Sequence, residues 1–200
     1  MPKKPNEREY RSMPLMQLKD GTENEFRASG YATTYNDPYL LIRMDDVDYY
    51  EEVAPDAIDE NTDMSDVIFQ YDHDGMVFAR MSNGTLALSS DEHGLKVDVD
   101  LSKTSDARNM FENISSGMVK EMSWAFTVDG QEFDKETHTR KITHISKIFD
   151  VSAVSIPANP NTEIIVARSY INGEIEKELK EFQEREAKKA KIRLMLELGK

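Results

Sequence analysis

The stretch Lys120-Glu121-Met122-Ser123-Trp124-Ala125-Phe126-Thr127 alternates large apolar residues with small or polar ones. Met122, Trp124, Phe126 and Val128 fall on one face of an extended strand, and Glu121, Ser123, Ala125 and Thr127 on the other. The apolar face predicts packing into a core. The strand is then a stiff mount that presents an exposed Ser123 hydroxyl on the opposite side, the setting a nucleophile requires. Most strand serines are only polar-face residues, so Ser123 gains meaning from what flanks it.

Just upstream, Thr104 or Ser105 can cap a helix carrying Ala107, Met110, Phe111 and Ile114 at helical spacing, with Gly117 past its end. Before that helix, Val77–Met81, Leu86–Ser90 and the alternating Leu95, Val97, Val99 and Leu101 predict an antiparallel meander, with Ser82-Asn83-Gly84 as a hairpin signal. Earlier still, Val67–His73 predicts a strand with Val67, Phe69, Tyr71 and His73 on one face and Ile68, Gln70 and Asp72 on the other. Asp72-His73-Asp74-Gly75 ends it in a turn, where loops and function concentrate. A first strand is predicted over residues 25–35. Downstream, Asp129-Gly130 predicts a break, and Lys141–Ile148 and Phe149–Ile156 predict the last hairpin and final strand, closed by Pro157–Asn161. Ile164–Val166 predicts a last short edge. Asp150 lies in an otherwise apolar run, so if buried it must be paired.

The two ends differ from the middle. Residues 1–24, with Pro2, Pro5 and Pro14, predict a flexible N-terminal arm. Residues 25–168 form the predicted domain. Residues 172–200 are rich in Glu, Lys and Ala, with Ile175, Leu179, Phe182, Ala190, Leu194 and Leu198 near one stripe, and predict a long, charged amphipathic helix serving as a partner-binding or self-associating tail.

Composition narrows the function. The 200-residue chain carries a net charge of -13, which argues against direct nucleic-acid binding, because phosphate neutralisation needs a basic face. It contains no cysteine, which removes disulfides, thiolate nucleophiles and Cys-based metal sites. There is no membrane-length apolar run and no apolar segment behind the N-terminus, so neither a membrane span nor a signal peptide is expected. The acidic run Asp45–Glu52 lacks the glycine and terminal glutamate of an EF-hand, and no His-x-x-x-His pair exists, so no metal or other cofactor is expected.

Three residues remain as a constellation: His73, Ser123 and Asp150, in that order and each at or beside a predicted strand. Serine chemistry needs a base beside the hydroxyl and an orienter that fixes the imidazole tautomer. His144, Asp72 and Asp74 are rival orienters.

Three segments, Tyr71-Asp72-His73-Asp74, Gly117–Phe126 and Phe149–Pro160, together with Gly30-Tyr31-Ala32 in the opening strand, resemble the successive motifs of the tailed-phage prohead proteases. These are capsid-maturation serine proteases related in fold to the herpesvirus assemblins. The resemblance covers residues 26–168. It implies an α+β fold: a mostly antiparallel β-barrel with a few flanking helices, assemblin-like. It implies a serine endopeptidase with Ser123 as nucleophile, His73 as base and Asp150 as third member, preferred over His144. It also implies scaffold and major capsid proteins as substrates, self-cleavage, a portal contact, and action inside the immature capsid in the host cytoplasm. This chain departs from the family pattern at Ala125, often glycine there, and at Pro55-Asp56-Ala57-Ile58. The alternative is a catalytically silent assembly or scaffold protein that keeps the fold.

Overall fold

Two long strands carry the fold. In the computed structural model, which describes residues 7–14, 17–18, 26–154 and 165–198, β10 (Glu121–Asp134) and β11 (Thr139–Val154) form one antiparallel hairpin. The break expected at Asp129-Gly130 is a register irregularity inside β10 instead. Gly130 is needed there because a Cβ would meet the His144 Cβ at 2.8 Å. Likewise the two predicted late strands are a single 16-residue strand.

The remaining strands are β1 (Glu9–Pro14), β2 (Gln17–Leu18), β3 (Arg27–Thr34), β4 (Tyr39–Met44), β5 (Val47–Val53), β6 (Ile68–Tyr71), β7 (Val77–Arg80), β8 (Leu86–Ser90) and β9 (Gly94–Asp100). One sheet runs β1-β10-β11-β5-β4, with β6 and β7 joined through β11. The other runs β2-β3-β9-β8. The α+β class with mostly strands holds, but among the described residues no closed barrel forms. The reason lies in β11. Its first half pairs in parallel with β5 and its second half in parallel with β6. The sheet therefore branches rather than curling back to its first edge.

Helix α1 (Ser105–Ser115) begins where the sequence predicts. The Thr104 Oγ1 accepts the Ala107 N–H at 3.0 Å, and Ala107, Met110 and Ile114 are buried. Side chains of both sheets and α1 meet in one core that includes Val97, Val99, Phe69, Met122, Trp124 and Phe126. Burying each of the larger ones stabilises the fold by about 1.5–3 kcal/mol. Helix α2 (Ile165–Leu198) is a separate compact unit. It begins where a short strand edge was expected, and Ile175, Leu179 and Phe182 on it are exposed. The turn predicted over Pro157–Asn161 lies outside the described residues.

β1 falls within the segment expected to be a mobile arm. It pairs antiparallel with β10 from Glu9↔Phe126 to Pro14↔Glu121. A buried cluster of four charges, all but inaccessible to solvent, fastens it. Arg11 pairs with Glu51 through Nε (2.6 Å) and with Glu9 through Nη2 (2.7 Å). Arg140 pairs through Nη1 with Glu9 (2.7 Å) and with Glu51 (2.6 Å), and its Nε donates to Gln131 Oε1 at 2.6 Å. The charges balance, and removing one partner of such a buried group typically costs about 3–5 kcal/mol. Burial alone would push the Glu51 carboxyl up, but Arg11 and Arg140 outweigh it and hold it at about 2. The sequence conceals this cluster because its members lie on β1, β5 and β11.

Candidate active site

Strand alternation and register define the face that carries the site. Ser12 opposes Ser123, and Ser123 opposes Ser152, so three serines lie side by side across β1, β10 and β11. One step along the same face, Tyr10 opposes Ala125, and Ala125 opposes Asp150. Directly opposed residues in an antiparallel pair have Cβ atoms about 4.5–5.5 Å apart.

His73 joins this face by a route that alternation could not predict. A continued strand would put it on the side of Phe69 and Tyr71. Instead the backbone turns left-handed at Asp72 (φ 47°) and His73 (φ 59°), conformations that aspartate and histidine tolerate better than most residues. The turn is tied down by the N–H groups of Asp74 (3.3 Å) and Gly75 (2.8 Å), which both donate to the Tyr71 carbonyl. Gly75 is required, since a Cβ would sit 2.5 Å from that oxygen. The Asp72 N–H donates to the Ala153 carbonyl at 3.1 Å. The ring therefore swings over to the serine face.

There its Nδ1 lies 2.5 Å from Asp150 Oδ1. Ser152 reinforces the pair. Its Oγ donates to Asp150 Oδ1 at 2.8 Å, accepts the His73 backbone N–H at 3.2 Å and lies 3.2 Å from Nδ1. On the other side, the Tyr10 ring meets the imidazole edge-on, with centroids 4.7 Å apart. Asp150 stands on β11 and Tyr10 on β1, so the ring between them spans β10 and lies over Ala125. A bulky side chain at 125 would occupy that seat, which explains why a small residue stands two positions after Ser123.

The carboxylate fixes the tautomer: Nδ1 carries the proton and donates to Asp150, which leaves the Nε2 lone pair free to accept. Nε2 and the Ser123 Oγ are both buried and both lack a hydrogen-bond partner. Ser123 is fully buried, where an exposed hydroxyl was expected. The difference arises because β1 flanks it on one side and β11 on the other.

The structure thus brings His73 and Asp150 into contact and puts Ser123 one strand away on the same face. It separates His144 from them. His144 opposes Gly130 on the hairpin and pairs with Asp129 and, at 3.5 Å, with Asp59. These acids hold its pKa above the ordinary histidine value. Seven residues of β10 separate Gly130 from Ser123, about 23 Å of strand. Asp72 and Asp74 belong to the turn that presents His73. No cluster of metal-ligating side chains occurs among the described residues, and no helix there is long and apolar enough to cross a membrane. Sequence reasoning missed Tyr10, Ser12 and the part played by Ser152. Ser152 was recoverable, since it stands two residues after Asp150 on one strand.

A cavity of about 470 Å³ lies at the same end of the sheet, walled by Tyr71, Met76, Phe78, Met110, Met118 and Val119. Its walls adjoin the His73 turn and the run into β10.

A strand-borne hydroxyl, a facing imidazole and a carboxylate behind it are the groups of nucleophilic serine chemistry. Residues 12–177 match the family model of the caudovirus prohead serine proteases, and the chain belongs to that family of capsid-maturation serine peptidases. No curated protein matches, and no solved structure matches.

Proposed function

We propose that this protein is a serine endopeptidase that processes scaffold and capsid proteins, and itself, during prohead maturation, with Ser123 as nucleophile, His73 as general base and Asp150 as the residue that orients and stabilises the imidazolium. One observation carries this reading: the imidazole bonded to Asp150 at 2.5 Å sits on the face and beside the register position of Ser123. In the first step the Ser123 Oγ forms a bond to the scissile carbonyl carbon while its proton passes to His73 Nε2. The carbonyl π electrons move onto oxygen. Collapse expels the amine, which takes the proton from Nε2, and water hydrolyses the acyl-enzyme by the same route.

The methionine-rich cavity beside the His73 turn is suited to an apolar substrate side chain, because methionines adapt their shape. The exposed apolar positions of α2 suit docking to scaffold or to a second copy. The assemblin relationship belongs to the same proposal. In this setting the enzyme acts inside the immature capsid.

Co-expression with capsid and scaffold proteins tests the reading. Ser123→Ala should abolish their processing; full processing by that variant would refute it. The complete burial of Ser123 favours one second reading, a silent assembly protein that keeps the fold. A fluorophosphonate that labels Ser123 in the wild-type chain excludes it.

A further inference from the structure

We infer that Ser12 is a catalytic residue: its hydroxyl donates a hydrogen bond to the oxygen that becomes negative when Ser123 attacks a carbonyl. This assignment rests on the serine-protease reading above and adds a residue from β1 to it.

Four observations converge on Ser12. It opposes Ser123 directly in the β1–β10 register, which places the two Cβ atoms about 4.5–5.5 Å apart on one face. Its Oγ is buried and without a hydrogen-bond partner, as is the Ser123 Oγ. Folded proteins seldom leave a buried hydroxyl unmatched, and the exceptions call for a cause. Here the cause is a partner that exists only during reaction.

The third observation is position. His73 is anchored from the β11 side, by Asp150 and Ser152. Ser12 stands on the opposite flank of Ser123, on β1. A carbonyl attacked by Ser123 must hold its leaving group toward the imidazole, and its oxygen then points away from it. Ser12 lies two residues along β1 from Tyr10, which touches the ring, and directly across from Ser123, so its hydroxyl can meet that oxygen beside the ring's far edge. Oxyanion donors act best when already fixed about 2.7–3.1 Å from where charge develops, so that nothing reorganises as the reaction proceeds.

The fourth observation is the mount. β1 is an edge strand, and edge strands are ordinarily loose. This one is held by the Glu9 and Arg11 side chains, which enter the buried charge cluster with Glu51 and Arg140. Alternation sends Glu9 and Arg11 to one face and Tyr10 and Ser12 to the other. The ion cluster thereby fixes the register that sets Ser12 beside Ser123 and Tyr10 against the imidazole. No bond to Ser12 forms or breaks: its O–H polarises the carbonyl, and in the attack step the only proton transferred moves from Ser123 to His73, which later gives it to the leaving amine.

The test uses the full-length chain and the rate at which a fluorophosphonate labels Ser123, since the phosphonyl oxygen occupies the oxyanion position. Ser12→Ala should slow labelling by about 100-fold, the loss typical of one oxyanion donor. The labelling of the Ser12→Ala chain should keep the pH profile of the wild type. Ser12→Thr, which restores a hydroxyl, should recover most of the rate. If Ser12→Ala folds poorly, Ser12→Cys replaces it, with nearly equal volume and a weak donor, and it too should label slowly. Wild-type labelling rates in a folded Ser12→Ala or Ser12→Cys chain would overturn the assignment while leaving Ser123 as the nucleophile. Unchanged labelling of a Ser123→Ala chain, or no labelling of wild type, would instead overturn the protease reading, and Ser12 with it.

Discussion

The two ends of the β10–β11 hairpin treat buried polar groups in opposite ways. Toward the hairpin turn, Arg140 and Gln131 join Glu9, Arg11 and Glu51 in a cluster in which every charge has a partner. Toward the open end, the Ser12, Ser123 and His73 Nε2 atoms are equally buried and have none. The first arrangement serves stability and register. The second is costly to the fold, roughly 1–3 kcal/mol for each unmade bond, and on the proposed assignment a bound substrate would complete it. The same strand, β1, contributes to both.

Several variants would sharpen or break this contrast. The largest effects belong to the open end. Ser123→Ala and His73→Ala should each remove processing, and Asp150→Asn should lower its rate about 10⁴-fold by releasing the tautomer. Near-normal melting of these chains would show that the groups serve chemistry rather than folding.

At the closed end the expectation reverses. Arg140→Ala should destabilise the domain by about 3–5 kcal/mol in denaturant unfolding, because Glu9 and Glu51 lose a partner inside the protein. A loss under about 1 kcal/mol would mean the cluster is not fastening β1. Acid should act in the same direction. The folded Glu51 carboxyl is held at about 2, below its ordinary value of about 4.5. Its stabilisation is complete above the ordinary value and is lost as pH falls toward the folded one. Amide exchange in β1 should accordingly accelerate between these limits, ahead of β9, where no such cluster lies; simultaneous loss of both strands would contradict this.

Smaller effects come from the surface between the two ends. Ala125→Leu should impair fluorophosphonate labelling by displacing the imidazole, at a stability cost of about 1–3 kcal/mol, whereas Ala125→Gly should retain the labelling. Unimpaired labelling in the leucine variant would show that the ring does not lie over position 125. His144→Ala should leave processing intact. The raised pKa of His144 favours the folded state below the ordinary histidine value, and this is lost as pH rises through the raised one. The side chain is part-exposed, so the effect on melting should be small. Loss of processing would restore His144 as a candidate third member.

What the sequence disclosed follows from the range over which each signal acts. Alternation and capping are local, so β6, the meander, α1 and the first half of β10 were readable, but β10 runs through the expected break at Asp129-Gly130 as far as Asp134. The pairing of Asp150 with a histidine was inferable because a carboxylate in an apolar run demands a partner. The face of His73 was not, because two left-handed residues break the period that alternation relies on. β1 was hidden by flanking prolines and by mixed polarity. Glu9 and Arg11 read as solvent-facing charges, yet they are buried because their partners arrive from Glu51 and Arg140, far along the chain. The barrel failed for a related reason, since no local pattern reveals that one long strand takes two parallel neighbours.

The left-handed turn at residues 72 and 73 has a consequence for synthesis. Its hand-off to Ser152 and Asp150 depends on β11, the last of the described strands to be made. A nascent chain that has emerged only through Ser123 lacks the carboxylate and the hydroxyl that seat the imidazole. On the proposed assignment, chemical competence comes only after nearly the whole domain has left the ribosome, so an unfinished copy would be harmless to its neighbours. A chain ending at residue 148 should take up no fluorophosphonate, though it holds both Ser123 and His73.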